Sequence, residues 1–194
     1  MDEREMTRRF QDVFDGILSI AEGIKKGFFG QNVQLTKESH KKFRELLKSR
    51  LAYAEKIMEN RDKNDVERKY VSLVILFQAV AMAMENLIDR MEIKVTSNIL
   101  FSEKALKEME ELFAFVEGQL KDMRDYMLTK NTDLKDSIIS RMEDLYKAAD
   151  EYAVAHENRL IEGLCTPKSS YLYLDIAGSL KMIARGLVEF SERA

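Results

Sequence analysis

The sequence contains few residues that break helices and only one that could form a disulfide. Its 194 residues include one proline, eight glycines, one cysteine and no tryptophan. A β-rich fold needs many turns and therefore more such breakers, so we expect long helices joined by a few loops. The single cysteine, Cys165, excludes a disulfide within the chain and is typical of a reducing compartment.

A strong charge of one sign and a long hydrophobic run are also missing. The net charge is only -3 at pH 7, too little to attract a phosphate backbone, so we predict no nucleic-acid binding. The longest apolar run, Val71 to Met84, contains Ser72 and Gln78 and is shorter than the roughly 20 residues that span a bilayer. No segment of signal-peptide type follows the charged N-terminus. We expect a cytoplasmic protein without direct membrane insertion.

Amphipathic segments account for most of the chain. Hydrophobic residues make up 45% and charged residues 34%, a mixture that helices accommodate by burying one apolar face. The spacing of apolar residues by three and four predicts six helices. The first helix is expected at about 4–29, the second from an N-cap at Thr36, and the third from about Asp65 to Thr96. The fourth is expected to begin after Ser102, the fifth to end at Gly163, and the sixth to begin at Thr166-Pro167.

The six segments form two sets of three with weak internal similarity. Glu22-Gly23 recurs as Glu117-Gly118, and Glu59-Asn60-Arg61 recurs as Glu157-Asn158-Arg159, at offsets of 95 and 98 residues. The most apolar helix is third in each set. This pattern predicts an all-α six-helix bundle made of two pseudo-symmetric three-helix repeats, about 1–99 and 100–194, within one domain. We expect the third and sixth helices at its centre.

Motifs of helical-bundle enzymes are not found. The only histidines are His40 and His156, and neither follows a glutamate by three positions, as a di-iron site of the ferritin type requires. There is no Gly-rich phosphate loop and no nucleophile elbow. A Cys165–His156 nucleophile pair stays open, although a small hydrophobic role for Cys165 in a loop is the simpler interpretation. We predict that the protein is not an enzyme.

An acidic pair follows the apolar part of the third predicted helix. Glu85 and Asp89 are four residues apart and share one helix face. Two carboxylates repel each other there unless a cation or a basic partner lies between them, and hard divalent or ferric ions accept such ligands. Acidic pairs on solvated helix faces are common, so spacing alone favours that simpler interpretation.

The segment from His156 to Leu180 carries a more specific pattern. It contains a His-x-x-Arg-Leu-x-x-Gly-x-Cys sequence followed by an aromatic-x-Asp helix start. This resembles the PhoU-like domain at the C-terminus of bacterial sodium/phosphate cotransporters. The matching positions are His156, Arg159, Leu160, Gly163, Cys165 and Asp175.

The resemblance implies two three-helix bundles side by side and a role in regulating phosphate uptake. The partner would be a phosphate transporter or its sensor kinase, either for a separate protein or for a domain appended to a transporter. Such a protein could lie peripherally at the inner face of the membrane through the transporter. The sequence leaves the oligomeric state open, with a homodimer among the alternatives. The alternative is a helical-bundle metal-binding protein unrelated to phosphate transport.

The resemblance also implies metal binding through a Glu/Asp-x-x-x-Asp motif on the third helix of each repeat. Glu85 and Asp89 match this motif in the first repeat, with iron or zinc as the expected metal. In the second repeat Lys181 and Arg185 occupy the corresponding positions. Two cations cannot ligate a metal, so we expect this pair to form salt bridges, for example with Glu189, or to hold an anion.

Overall fold

A computed structural model describes all 194 residues. It contains six α-helices joined by short loops and no β-strand. The helical bundle predicted from the scarcity of breakers is therefore confirmed. The helices are α1 Glu3–Phe29, α2 Val33–Glu59, α3 Asp65–Thr96, α4 Glu103–Thr129, α5 Thr132–Ile161 and α6 Pro167–Arg193.

Side-chain caps fix most of the helix starts where the sequence predicts them. The Ser102 side chain accepts a hydrogen bond from the Ala105 amide, and Thr166 caps α6 with Pro167 as its first residue. The prediction for α2 is wrong by one turn, because Asn32 and not Thr36 is the N-cap. Asparagine is a stronger cap than threonine, and Thr36 is buried and donates its hydroxyl to the Asn32 carbonyl oxygen.

The helices pack against one another both within each half of the chain and between the halves. Helices α1, α2 and α3 contact one another, as do α4, α5 and α6, while α3–α6 and α1–α4 contacts join the sets. The most extensive contact is between α3 and α6. Gly186 permits it, because a Cβ atom there would lie 2.6 Å from Val80 Cγ2. A core of 40 buried hydrophobic residues draws on all six helices.

The central helix α3 is less completely covered than its composition predicts. Leu73, Val80 and Met91 are fully buried, but Ile75 is 55% and Met82 74% exposed. The apolar run from Val71 to Met84 is too short to span a bilayer, yet the whole helix has 32 residues and is long and apolar enough to do so. Core helices of bundles pass the same test, so the absence of membrane insertion stays a prediction.

Helix α2 lies on the core mainly through its first half. Its buried residues end at Phe43, apart from Ala54 near the other end. Leu51 and Met58 share the apolar stripe of Phe43 by their spacing, yet each is more than one-third exposed. The second half of α2 therefore leaves apolar surface of α1 and α3 uncovered.

Candidate functional site

The acidic pair on α3 faces a histidine on α2. His40 Nε2 lies 3.0 Å from Glu85 Oε1 and 3.7 Å from Asp89 Oδ1. These three side chains each offer a ligand atom, and the three atoms lie within 4.8 Å of one another. The structure thus places the imidazole nitrogen of His40 beside Glu85 and Asp89, a contact that the sequence does not predict.

A second carboxylate orients the histidine. His40 Nδ1 lies 2.7 Å from Glu92 Oε2, and because a carboxylate only accepts, Nδ1 carries the hydrogen. In a neutral ring this leaves the Nε2 lone pair facing the oxygen of Glu85. A proton or a metal ion on Nε2 converts that repulsion into attraction. Carboxylate–histidine pairs of this kind orient metal ligands in many proteins.

Arg44 supplies the positive charge next to the acidic pair. Its Nε lies 2.6 Å from Glu85 Oε1, and its Nη2 lies 3.7 Å from Asp89 Oδ1. Burial raises the pKa of Glu85, but the hydrogen bonds from Arg44 and, when its Nε2 is protonated, from His40 outweigh burial and lower it overall. The Glu85 carboxylate is therefore ionised at neutral pH and available to a cation.

The residues present fit a metal ion. Glu85 Oε2 is buried and accepts no hydrogen bond, an arrangement that costs free energy unless a cation or donor satisfies it. One imidazole nitrogen with two carboxylates is a donor set suited to zinc or iron. Arg44 is 60% exposed along its side chain, so it can move aside without disturbing the core.

The basic pair in the other half of the chain is already neutralised. Lys181 Nζ lies 2.7 Å from Asp150 Oδ1 and 4.5 Å from the centre of the Tyr146 ring. Arg185 Nε lies 2.9 Å from Glu189 Oε1. The structure thus contains the salt bridge between Arg185 and Glu189 that their spacing predicts, and both cations have intramolecular partners.

A closed polar network surrounds Arg159 of the motif. Arg159 donates to both oxygens of Glu108, at 2.8 and 2.6 Å, and the Tyr173 hydroxyl donates to Glu108 Oε2 at 2.7 Å. All three side chains are buried. Burial and the hydrogen bond to Glu108 raise the pKa of Tyr173. This bidentate pair is a charge-assisted bond within the core of the second half.

His156 extends this network towards Cys165. Arg159 Nη2 donates to His156 Nδ1 at 3.2 Å, so the ring hydrogen is on Nε2, which donates to Ser170 Oγ at 2.7 Å. Burial, and then the charge of Arg159, lower the pKa of His156. Cys165 Sγ lies 3.9 Å from Nε2. In this tautomer Nε2 cannot accept the thiol proton, so the pair is not arranged as a nucleophile and its base.

The remaining motif residues have separate positions. Gly163 adopts φ +73°, a left-handed conformation that favours glycine, and closes α5 with hydrogen bonds from its own amide and that of Leu164. Asp175 Oδ2 lies 2.5 Å from Arg90 Nε and links α6 to α3. The motif thus combines a buried network, a helix-ending turn and an interhelical ion pair.

Sequence reasoning missed the residues that complete both clusters. His40 lies three residues before Phe43 on the apolar stripe of α2, a position that indicates burial but does not identify the side chains it contacts. Glu92 lies one turn beyond Asp89 and extends the acidic face of α3. On α4, Glu108 lies three residues after Ala105 and four before Leu112, so the spacing places it on the apolar face but does not identify Arg159 as its partner.

Comparison with protein-family models, with curated proteins and with solved structures found no match to this chain. The resemblance to the PhoU-like domain therefore depends on the residues quoted above.

Proposed function

We propose that this chain is a PhoU-like regulator or adaptor of phosphate uptake that acts through protein contacts and binds a metal ion at His40, Glu85 and Asp89. The observation that carries this proposal is the convergence of His40 on the acidic pair. The resemblance implies metal binding through Glu85 and Asp89. With His40 added, this acidic pair becomes a set of one nitrogen and two oxygen donors.

The helix packing supports the two-repeat part of the proposal. The contacts form two sets of three consecutive helices, with the third helix of each set in contact across the middle. Side-by-side three-helix bundles related by duplication have this contact pattern. In this arrangement the metal site belongs to the first bundle, between α2 and α3.

A metal at this position would couple ion binding to the shape of a surface. His40 lies on α2 and the two carboxylates lie on α3, so a shared ion would bind the two helices together. The same ion would displace Arg44 from Glu85 and free its guanidinium for other contacts. A partner that contacts the α2–α3 surface would then encounter different charges in the loaded and metal-free states.

Metal analysis of the purified protein tests the site. We expect one zinc or iron ion per chain, and loss of that ion in the double variant Glu85→Ala with Asp89→Ala. Glu55→Ala with Glu59→Ala is the matched control, because these acids are also four apart on a helix but both are exposed. Equal metal content in the two double variants would refute the site and leave the adaptor proposal standing.

Co-purification from phosphate-starved and phosphate-replete cells tests the partner. We expect a phosphate transporter component or its sensor kinase to be recovered, with a yield that changes with phosphate supply. Recovery of neither component under both conditions would count against the adaptor role.

The second candidate is a metal-binding helical bundle unrelated to phosphate transport. One observation favours it: His40, Glu85 and Asp89 place three ligand atoms within 4.8 Å of one another, and this geometry does not depend on the resemblance to any family. Stoichiometric metal together with no transporter or kinase partner would identify this alternative.

A further inference from the structure

An apolar groove separates the second half of α2 from α1 and α3. It encloses about 370 Å³, a volume within the range of small-molecule sites. Its walls are aliphatic and aromatic side chains, among them Val13, Leu47, Leu51, Val74, Phe77 and Ala81. The groove is separate from the proposed metal site, because of the three proposed ligands only Glu85 lines it, at one end.

The groove follows the length of α3 more than that of α1 or α2. Along α3 its lining extends from Tyr70 to Glu85, which corresponds to about 22 Å of helix. A site of this length and limited volume suits a linear aliphatic chain better than a compact ring system. The lining side chains are already in place, so a ligand would not have to open the core.

The ends of the groove differ in charge. Arg9 and Arg50 line the end near Tyr70, and Glu85 lines the other. Arg9 is paired with Glu5 at 2.8 Å. Arg50 is held less closely, since its only ion pair, from Nη2 to Asp12 Oδ2, is 4.0 Å long and its Nε is buried without a hydrogen bond.

We propose that this groove binds an aliphatic carboxylate of medium chain length. The carboxylate pairs with the Arg50 guanidinium, whose fork of donors matches two carboxylate oxygens. The chain extends along Val74 and Phe77 towards Met82. The opposite orientation would place two carboxylates together at Glu85, so the charges of the groove also set the direction of the ligand.

A single-tryptophan variant tests binding directly. The chain has no tryptophan, and Leu51 is a half-exposed groove residue that can accept an indole without opening the core. Titration of Leu51→Trp with dodecanoate below its micelle concentration is expected to give a saturable, 1:1 fluorescence change. Val33→Trp, equally exposed on α2 but outside the groove, is expected to give none.

The role of Arg50 is tested by calorimetry on chains without the indole. Dodecanoate is expected to bind the unmodified chain about tenfold more tightly than dodecanol. Arg50→Gln should remove that difference, while Arg61→Gln, an exposed arginine outside the groove, should preserve it. Helix content by circular dichroism confirms that each variant is folded.

The head-group comparison requires no mutation, so it decides the question even if Arg50→Gln does not fold. Equal binding of dodecanoate and dodecanol to the unmodified chain, or no saturable binding of either, would overturn the proposal.

Discussion

The two histidines of the chain lie in polar clusters of opposite character. The cluster around His40 is half open to solvent, contains three carboxylates, and includes a buried oxygen of Glu85 without a hydrogen bond. The cluster around His156 is buried, and its single carboxylate, on Glu108, binds Arg159 through both oxygens. The first leaves one carboxylate oxygen without a hydrogen bond, whereas the second has paired its charges internally.

This difference separates a binding role from a structural role. A cation can join the first cluster at little structural cost, because the side chain of Arg44, which now pairs with Glu85, is exposed. A buried bidentate pair contributes instead to the uniqueness of the packing, and losing either partner strands the other charge. Mutations should therefore affect metal binding in the first cluster and stability in the second.

The largest expected effect is on stability, from breaking the closed cluster. Glu108→Gln leaves the Arg159 charge buried without a counterion, and we expect it to lower the free energy of unfolding by about 3–5 kcal/mol. Urea denaturation followed by circular dichroism measures this loss. In the open cluster Glu85→Gln should cost far less, because Arg44 can return to solvent.

The double variant Glu108→Leu with Arg159→Met is the control for this prediction. It removes both charges, so much of the lost stability should return. A double variant as unstable as Glu108→Gln would show that the ion pair itself, and not the stranded charge, stabilises the fold.

How far the sequence predicts these clusters depends on whether the partners are local. Glu85 and Asp89 share one helix face, so their spacing alone places them together. His40 is 45 residues from Glu85 and Glu108 is 51 residues from Arg159, and such pairings depend on helix rotation and register, which periodicity does not specify. The same limit applies to α2, where the apolar stripe is present but Leu51 and Met58 are not covered.

Lys94 extends the comparison to a buried cation that has no carboxylate. Its side chain is 1% exposed, its Nζ lies 4.7 Å from the Phe28 ring centre, and burial lowers its pKa to about 8. Arg159 is buried with a counterion, and Lys94 is buried without one. Lys94→Met should therefore raise the free energy of unfolding at pH 7 by about 1–3 kcal/mol.

The pH dependence gives an independent test of the same residue. Between about pH 8 and the ordinary lysine pKa of 10.5, the unfolded chain holds this proton while the folded chain has released it. Stability should therefore rise with pH across this window, relative to the Lys94→Met variant. Parallel pH profiles for the two proteins would contradict a buried ammonium at this position.

A smaller effect is expected on metal affinity from Arg44. In Arg44→Gln the guanidinium no longer competes for Glu85, so zinc should bind about two- to fivefold more tightly. Titration calorimetry with zinc measures the change, with Lys48→Gln as a control on the exposed face of α2. Weaker binding in Arg44→Gln would mean that the arginine supports the ligands and does not compete with the ion.

The smallest stability effect is expected from rebuilding the acidic pair in the second half. Lys181→Glu with Arg185→Asp removes two surface pairs, and the unfolding midpoint should fall by only ~2 °C or less. Metal stoichiometry should not change, because Tyr146 and Asp150 lie beside position 181 on α5 and no histidine faces it. Adding Tyr146→His to this double variant supplies the missing nitrogen donor and should create a second, weaker zinc site. If the variant with Lys181→Glu and Arg185→Asp binds a second zinc ion without Tyr146→His, a histidine is not required for such a site. The two halves would then differ in metal binding only because of the charges at these positions.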